Sequence, residues 1–357
     1  MTERLLMPCS LSSNNWWFSK RMRQLTILMP AFNAAPYIEE AIESLLTQSF
    51  SDFDLWIIDD ASTDETLDII NSFQDQRIKI ITNEVNQGRV RTINKLVKEI
   101  QSPYFTITDA DDVSHPERLE KQVELLNYDS TLMMCGTSFW AVDEKGFLVR
   151  KMSLLQDIKA LRKAALEQSQ FLGPTTIMRH EVINKFPHFY REYFIDNHAD
   201  ADLSCLILDS FPSTNVAKPL YFYRIVKSSV TRKKVTVRNL NLHRLIGFLS
   251  SQRRTQGQDC LQQNLPEKAN LFLSKVQAEY DQDPSFFFRH QAFFHLYWGL
   301  NDLAFENGRL AISKSPFRAK NWASFLYIIF RIGLFYLNRS VNKVHYRQLM
   351  TTYEGRS

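Results

Sequence analysis

Asp109, Asp111 and Asp112 place three carboxylates within four residues, directly behind the apolar, β-branched run Tyr104-Phe-Thr-Ile-Thr108. Such a run reads as a buried strand, so the carboxylates stand where a strand ends and just ahead of a helix that starts near Pro116. Like charges held this close repel, and a fold needs a reason to keep them together. A divalent cation bridging to a phosphate is one reason: Mg²⁺ and Mn²⁺ prefer hard oxygen ligands and are commonly held by one or two carboxylates plus substrate phosphates. The plain alternative is a solvated acidic turn that caps the next helix. The elements around the triplet favour the first.

Those elements alternate. Leu25–Met29, Phe53–Ile58, Arg77–Ile81 and Tyr104–Thr108 read as strands. Between them, Tyr37–Thr47 has helical apolar spacing, and a second helix runs through Phe73. That second helix is expected to open on a capping box of Ser62 or Thr63 with Asp64 and Glu65 close behind. A polar turn, Asn83–Gly88, leads into a third helix ending near Ile100. This order means βαβ units and a largely parallel sheet, whose ligands sit beyond the carboxyl ends of the strands. Four polar loops lie on that edge: Pro30–Asn33, Asp59 with Asp60, Asn83–Gly88, and Asp109–Asp112. Neither G-x-G-x-x-G nor G-x-x-x-x-G-K-[ST] occurs, which disfavours a Rossmann dinucleotide or Walker nucleotide site. A nucleotide diphosphate bound here would be neutralised by a metal rather than by backbone amides.

Four motifs carry a resemblance: Met29-Pro-Ala-Phe-Asn-Ala-Ala-Pro-Tyr-Ile38, Ile58-Asp-Asp-Ala-Ser-Thr-Asp-Glu-Thr66, Asn86-Gln-Gly88 and Asp109-Ala-Asp-Asp-Val-Ser-His-Pro-Glu-Arg-Leu119. In this order and spacing the chain resembles the family 2 glycosyltransferases of GT-A fold, over roughly Gln24 to Thr231. The resemblance implies an α/β, Rossmann-like mixed sheet, mainly parallel and flanked by helices. It also implies roles. Pro30, Ala31, Phe32 and Asn33 lie where the family's first loop packs on the nucleotide base. Asp60 matches the carboxylate that accepts a hydrogen bond from the base, usually uracil, while Asp59 holds the turn. Asp109 and Asp111 match the outer members of the Asp-x-Asp motif. Asp111 is the first choice for metal, with Asp109 or Asp112 on ribose or behind the ligands; spacing leaves open which of the three binds directly. Asn86 and Gly88 contact the nucleotide or simply form a tight turn into the helix.

Downstream, Leu132–Phe139 reads as a strand, Val142–Phe147 as a hairpin-like turn and Leu154–Glu167 as a polar helix. Gly173-Pro-Thr-Thr-Ile-Met-Arg179 resembles the segment lining the acceptor side. Ile195-Asp-Asn-His-Ala-Asp-Ala-Asp-Leu203 resembles the family's acidic pair ahead of a helix. There Asp200 takes the position of the catalytic base, Ala199 replaces the first acid and Asp202 caps the helix. Asp196 is a spare carboxylate, and His198 reads as structural. Leu220–Val230 resembles the family's closing Tyr-Arg-x-His segment, but Val226 stands where the family's histidine can complete the metal site. The resemblance then leaves an extra water on the metal, positive charge on the diphosphate from Arg224 and Lys227, or a weakened site.

The 357 residues, with 44% apolar and 23% charged, suit a soluble protein with a real core and room for an appendage. Cys9, Cys135, Cys205 and Cys260 lack paired or metal-type spacing, which points to reduced thiols and a cytoplasmic setting. The N-terminus lacks the apolar core of a secretory signal, and no stretch reaches the roughly 18 apolar residues of a spanning helix. The net charge of +4 conceals an asymmetry: from Val226 onward there are 20 Lys/Arg against 8 Asp/Glu. Arg232–Arg238 reads as a basic linker, and helices are expected over Leu240–Ser251, Leu265–Tyr280 and Pro284–Ala304, with their aromatic clusters in the core. Between Asn307 and Arg347, eight Lys/Arg and no acid flank the apolar run Trp322–Leu337. Aromatic ends with basic flanks suit a helix lying on anionic lipid; a helix docked onto the catalytic domain is the alternative. No nucleic-acid module is visible, and the acidic first half opposes one.

The expected organisation is an N-terminal extension (1–23), a GT-A domain (24–231, with nucleotide half 24–112 and acceptor half 113–231) and a basic helical region (232–357). The resemblance implies a Mn²⁺- or Mg²⁺-dependent inverting transfer from a UDP-sugar to a saccharide or glycolipid hydroxyl. The cysteine usage points to a cytoplasmic enzyme, and the basic, aromatic C-terminal region to one peripheral on the inner face of the plasma membrane, unless that helix docks on the catalytic domain. The rival readings are a polyisoprenyl-phosphate glycosyltransferase of the same fold and a non-catalytic nucleotide-sugar-binding scaffold.

Overall fold

The computed structural model describes residues 22–226, 235–341 and 343–351; the extension up to residue 21, Lys227 and the Arg232-Lys-Lys stretch lie outside the described residues. The sheet is built from β1 (Leu25–Ala31), β2 (Phe53–Asp59), β3 (Ile78–Thr82), β4 (Tyr104–Ile107), β5 (Val113–Ser114), β6 (Met134–Asp143), β7 (Leu148–Met152), β8 (Ile177–Arg179) and β9 (Ser213–Ile225). Its order is β3-β2-β1-β4-β8-β6-β9-β5, with β7 added to β6 as a hairpin. The first four strands are mutually parallel. β8 runs antiparallel to both β4 and β6, whereas β9 returns parallel to β6.

Strands of this kind are covered on both faces, and their sequence shows it. In β1, Leu25, Ile27 and Met29 face one core and Leu28 the other. Helix α1 (Ile38–Leu46) buries Ile38, Ala41, Ile42 and Leu45 against the first core, an i, i+3, i+4, i+7 stripe. α2 (Thr66–Ser72) and α4 (Arg118–Tyr128) cover the same face through Ile70, Leu119, Val123 and Leu126. On the opposite face lie α3 (Arg89–Leu96), α5 (Ile158–Ala164), α6 (Glu181–Lys185) and α7 (Ala199–Ser210). Truncating one of these fully buried side chains, such as Ile42→Ala, costs about 2–5 kcal/mol.

The C-terminal region is helical as expected: α8 (Val237–Leu240), α9 (Leu242–Gln256), α10 (Pro266–Asp281), α11 (Phe286–Tyr297), α12 (Asn301–Lys314), α13 (Ala319–Val341) and α14 (Arg347–Thr351). Where one helix was expected over Pro284–Ala304 there are two, because Gly299 adopts φ +71° and breaks the run. The capping expectation also fails. α2 starts after Glu65 with no side-chain cap. Ser62 Oγ instead accepts from the Asn33 amide at 3.0 Å, and the Thr63 amide donates to Asn33 Oδ1 at 2.8 Å. The C-terminus is no loose appendage: Phe147 and His345 form a β-bridge, and the buried Tyr346 packs on Phe222 with ring centroids 5.0 Å apart.

Candidate active site

The carboxyl ends of β1, β2, β3 and β4 bring the predicted loops together. Asp60 is buried behind them and organises one loop outright. Its Oδ1 accepts from Asn83 Nδ2 at 2.7 Å and from the Gln87 amide at 3.0 Å, and its Oδ2 accepts from the Gly88 amide at 2.8 Å. A carboxylate is acceptor-only, so these donors fit it, and Oδ2 keeps acceptor capacity for a further N–H. Gly88 precedes α3 at φ +80°, a left-handed conformation that favours glycine. Asp59 holds the preceding turn, its Oδ2 accepting from the Ser62 amide at 3.2 Å. Asn86 is exposed. Pro30 and Ala31 end β1, while Phe32 is half exposed and Asn33 sits at φ +50° beside the Ser62–Thr63 turn.

The triplet forms a true cluster. Ligand oxygens of Asp109, Asp111 and Asp112 all lie within 4.8 Å of one another. Asp112 is buried; its Oδ1 accepts from the Arg224 amide at 2.7 Å, but its Oδ2 accepts nothing among the described residues. Burial, with the charges of Asp111 and Asp109 added, pushes its carboxyl well above the usual range. An orphaned buried carboxylate oxygen flanked by two more carboxylates is the donor set a hard divalent cation takes. The residues present fit the metal that the sequence implies.

Arg89, at the start of α3, donates to Asp109 at 3.0 Å and lies 5.8 Å from the centre of the buried Tyr190 ring. The Asp200 carboxylate acts on the same cluster. Together with Asp109 and Tyr190 it holds the Arg89 guanidinium firmly charged against the cost of burial. Burial pushes the Tyr190 hydroxyl up to about 12, with Arg89 opposing and Asp200 and Asp109 adding to the rise. Asp200 itself stands in the first turn of α7, pressed against Gly173, where an added Cβ would come within 2.3 Å of its Oδ2. The triplet, Arg89 and Tyr190 are thus joined at the sheet edge, with Asp200 near enough to bear on the charge of Arg89 and Tyr190.

Residues 26–186 match the family described as Glycosyl transferase family 2. An uncharacterized glycosyltransferase of Haemophilus influenzae is 30% identical over 220 residues, which cover 60% of this chain and 84% of the relative. The chain belongs to the family 2 glycosyltransferases. An Escherichia coli relative named UDP-Glc:alpha-D-GlcNAc-diphosphoundecaprenol beta-1,3-glucosyltransferase WfgD is 26% identical over 213 residues, 59% of this chain and 80% of that protein. The crystal structure of S. aureus TarS 1-349 in complex with UDP-GlcNAc superposes with a TM-score of 0.55 at 16% identity, covering 85% of this chain and 90% of that one. That likeness shows the GT-A fold.

Within this glycosyltransferase, two residues sit otherwise than expected. Asp202 is no cap: it is fully buried and receives Arg191 Nε at 2.7 Å, in an ion network that continues through Arg191 to Asp259 and on to Arg253 and Asp209. Arg224, expected to face the diphosphate, turns its guanidinium inward. Nε donates to the Asp111 carbonyl at 2.8 Å, Nη1 to the Glu144 carbonyl at 3.2 Å and Nη2 to Glu40 at 2.6 Å. It shapes the triplet's backbone instead. Val226, in place of the family's histidine, is buried. His198 precedes α7 at φ +64° without a capping bond, its Nε2 3.1 Å from His243 Nε2, a packing role.

Arg89, Tyr190 and Glu40 were not foreseen. For Arg89 a signal existed: a cation in the first turn of a helix opposes the helix dipole, so it needs an anion nearby, and Asp109 supplies one. Tyr190 and Glu40 carry no local pattern that distinguishes them from ordinary core and surface residues.

Proposed function

We propose that this protein is a metal-assisted, inverting glycosyltransferase that moves a sugar from a UDP-sugar to a hydroxyl acceptor in cell-surface polysaccharide, lipopolysaccharide or glycolipid synthesis. The observation that carries the reading is the triplet with its orphaned Asp112 oxygen, joined to Arg89 through Asp109. The names of the relatives support a UDP-sugar donor and a surface-glycan acceptor. Asp109, Asp111 and Asp112 would hold a divalent cation, whose charge offsets that of the departing diphosphate. Asp60 and the Pro30–Asn33 loop would receive the base, since Asp60 keeps acceptor capacity and Phe32 offers an exposed ring.

Asp200 serves as general base. As the acceptor oxygen bonds to the anomeric carbon and the bond to the diphosphate breaks on the opposite side, the hydroxyl proton passes to the Asp200 carboxylate. The nucleotide leaves with the bonding electron pair. Arg89 holds Asp109 in place and keeps positive charge beside it.

Calorimetric titration with UDP and GDP, with and without Mn²⁺, tests this. UDP should bind only with metal, and Asp111→Asn should abolish that binding while the melting temperature stays within a few degrees. UDP binding that ignores the metal and survives Asp111→Asn would overturn the reading.

A further inference from the structure

Helix α13 is apolar on both its packed side and its outer side. Inward, the buried Ile328 packs with Ala292 of α11 and Ala304 of α12, and Phe325 meets Phe305 at 5.1 Å between ring centroids, next to Gly308. Outward, Trp322, Leu326, Ile329, Phe330, Leu334 and Leu337 are exposed, with Leu326, Phe330 and Leu337 each more than 60% accessible. Phe317, just before the helix, is fully exposed. A helix apolar all round belongs in a core or against lipid, and soluble surfaces rarely carry so continuous an apolar face.

We propose that the outer face of α13 docks flat on an anionic phospholipid membrane. This goes beyond the donor reading and does not depend on it. Charge names the partner. No acidic residue lies between positions 307 and 347, and exposed Lys314 and Lys320 stand at one end of the helix, with exposed Lys343 beyond the other; Arg318 and Arg347 are paired with Asp283 and Glu40. Trp322, Tyr327 and Tyr336 are the amphipathic aromatics that favour the headgroup level. Geometry sets the mode. None of the described helices is long and apolar enough to cross a membrane, and α13's inner face is already spent on α11 and α12, so only the outer face is left for lipid. A second copy fits this face poorly. In a two-fold pairing of α13 helices, basic ends would meet basic ends whichever way the helices ran.

The docking helix also borders the site. Phe335 and Tyr336 line a cleft with Glu144, whose carbonyl receives Arg224 under the triplet.

Flotation of the full chain with vesicles of phosphatidylcholine, alone or mixed with phosphatidylglycerol, decides the matter. Binding to the mixed vesicles is expected, falling about tenfold or more at high salt. The double variant Leu326→Glu, Phe330→Glu should lose it. Lys314→Glu with Lys320→Glu, which touches only exposed side chains and leaves the melting temperature in place, should lose the preference for anionic lipid. Three results would overturn the proposal: no flotation with either vesicle, flotation unchanged in both variants, or a dimer that the first variant dissolves without any vesicle binding. Flotation that appears only after removal of residues 1–21 would assign the face to that segment of the chain instead.

Discussion

Glu40 Oε2 accepts a hydrogen bond from Arg224 Nη2 at 2.6 Å, which ties the first helix to the last strand directly beneath the carboxylate triplet. The other Glu40 oxygen receives the Tyr346 hydroxyl and, at 2.6 Å, Arg347 Nη2, both from the C-terminal segment. Burial alone would raise the Glu40 carboxyl, but these bonds and the Arg224 charge hold it below its usual value. Arg224 in turn fixes the Asp111 carbonyl and the Asp112 side chain. Residues some 300 positions apart thus share one clamp on the carboxylate loop.

Breaking the clamp should loosen the triplet. Glu40→Gln is expected to cost about 1–3 kcal/mol in urea denaturation, because it weakens charge-assisted bonds to partly buried partners. It should also weaken Mn²⁺-dependent UDP binding severalfold by calorimetry. Arg347→Ala, which removes a mostly exposed side chain, should cost less than about 1 kcal/mol. Equal losses for both would show that Arg224 is not the member that matters.

Asp200→Asn should keep donor affinity and lower turnover by about 10²–10⁴-fold, the usual contribution of a positioned general base. Gly173→Ala offers a second route to the same end, since its new Cβ would displace the Asp200 carboxylate without touching the triplet. Near-normal turnover in Asp200→Asn would move the role to another carboxylate, with the exposed Asp196 the next in line.

The His198–His243 contact predicts acid sensitivity. Burial, with Arg238 adding to it, lowers His198 to about 4. Burial and the neighbouring His198 lower His243 to about 3, with Asp200 opposing. A group depressed in the folded state stabilises above its unfolded value and loses that contribution as pH falls toward the folded one. The melting temperature should therefore be flat above about pH 6.5 and fall progressively below it. His243→Gln should shallow that slope; an unchanged slope would place the acid-sensitive group elsewhere.

The nucleotide half was legible because its information is local. Phe53–Asp59 and Tyr104–Ile107 are near-continuous apolar runs, and the residues just past each strand are the polar ones that line the cleft. The family motifs lie in the same stretches. Legibility fell where a residue's partner is remote. Ser62 reads as a helix cap until Asn33 is seen to claim it, and Asp202 does so until Arg191 is seen across from it. The strands Leu148–Met152 and Val113–Ser114 are short and weakly patterned, and exist because Trp140 and Phe222 pair with them or beside them.

The sequence by itself determined the parallel α/β half, the four loops at its edge, the acidic triplet as a metal candidate and the basic, aromatic character of the C-terminus. Periodicity and short spacing encode these, and both are properties of neighbouring residues. Only the tertiary structure decided that Arg89 pairs with Asp109 beside the Tyr190 ring, that Arg224 turns inward to Glu40, and that Tyr346 returns to close the clamp. Each depends on chain segments brought together by burying two cores on opposite faces of one sheet. The direction of an arginine is set by which buried acceptors it can reach, and no local pattern states that.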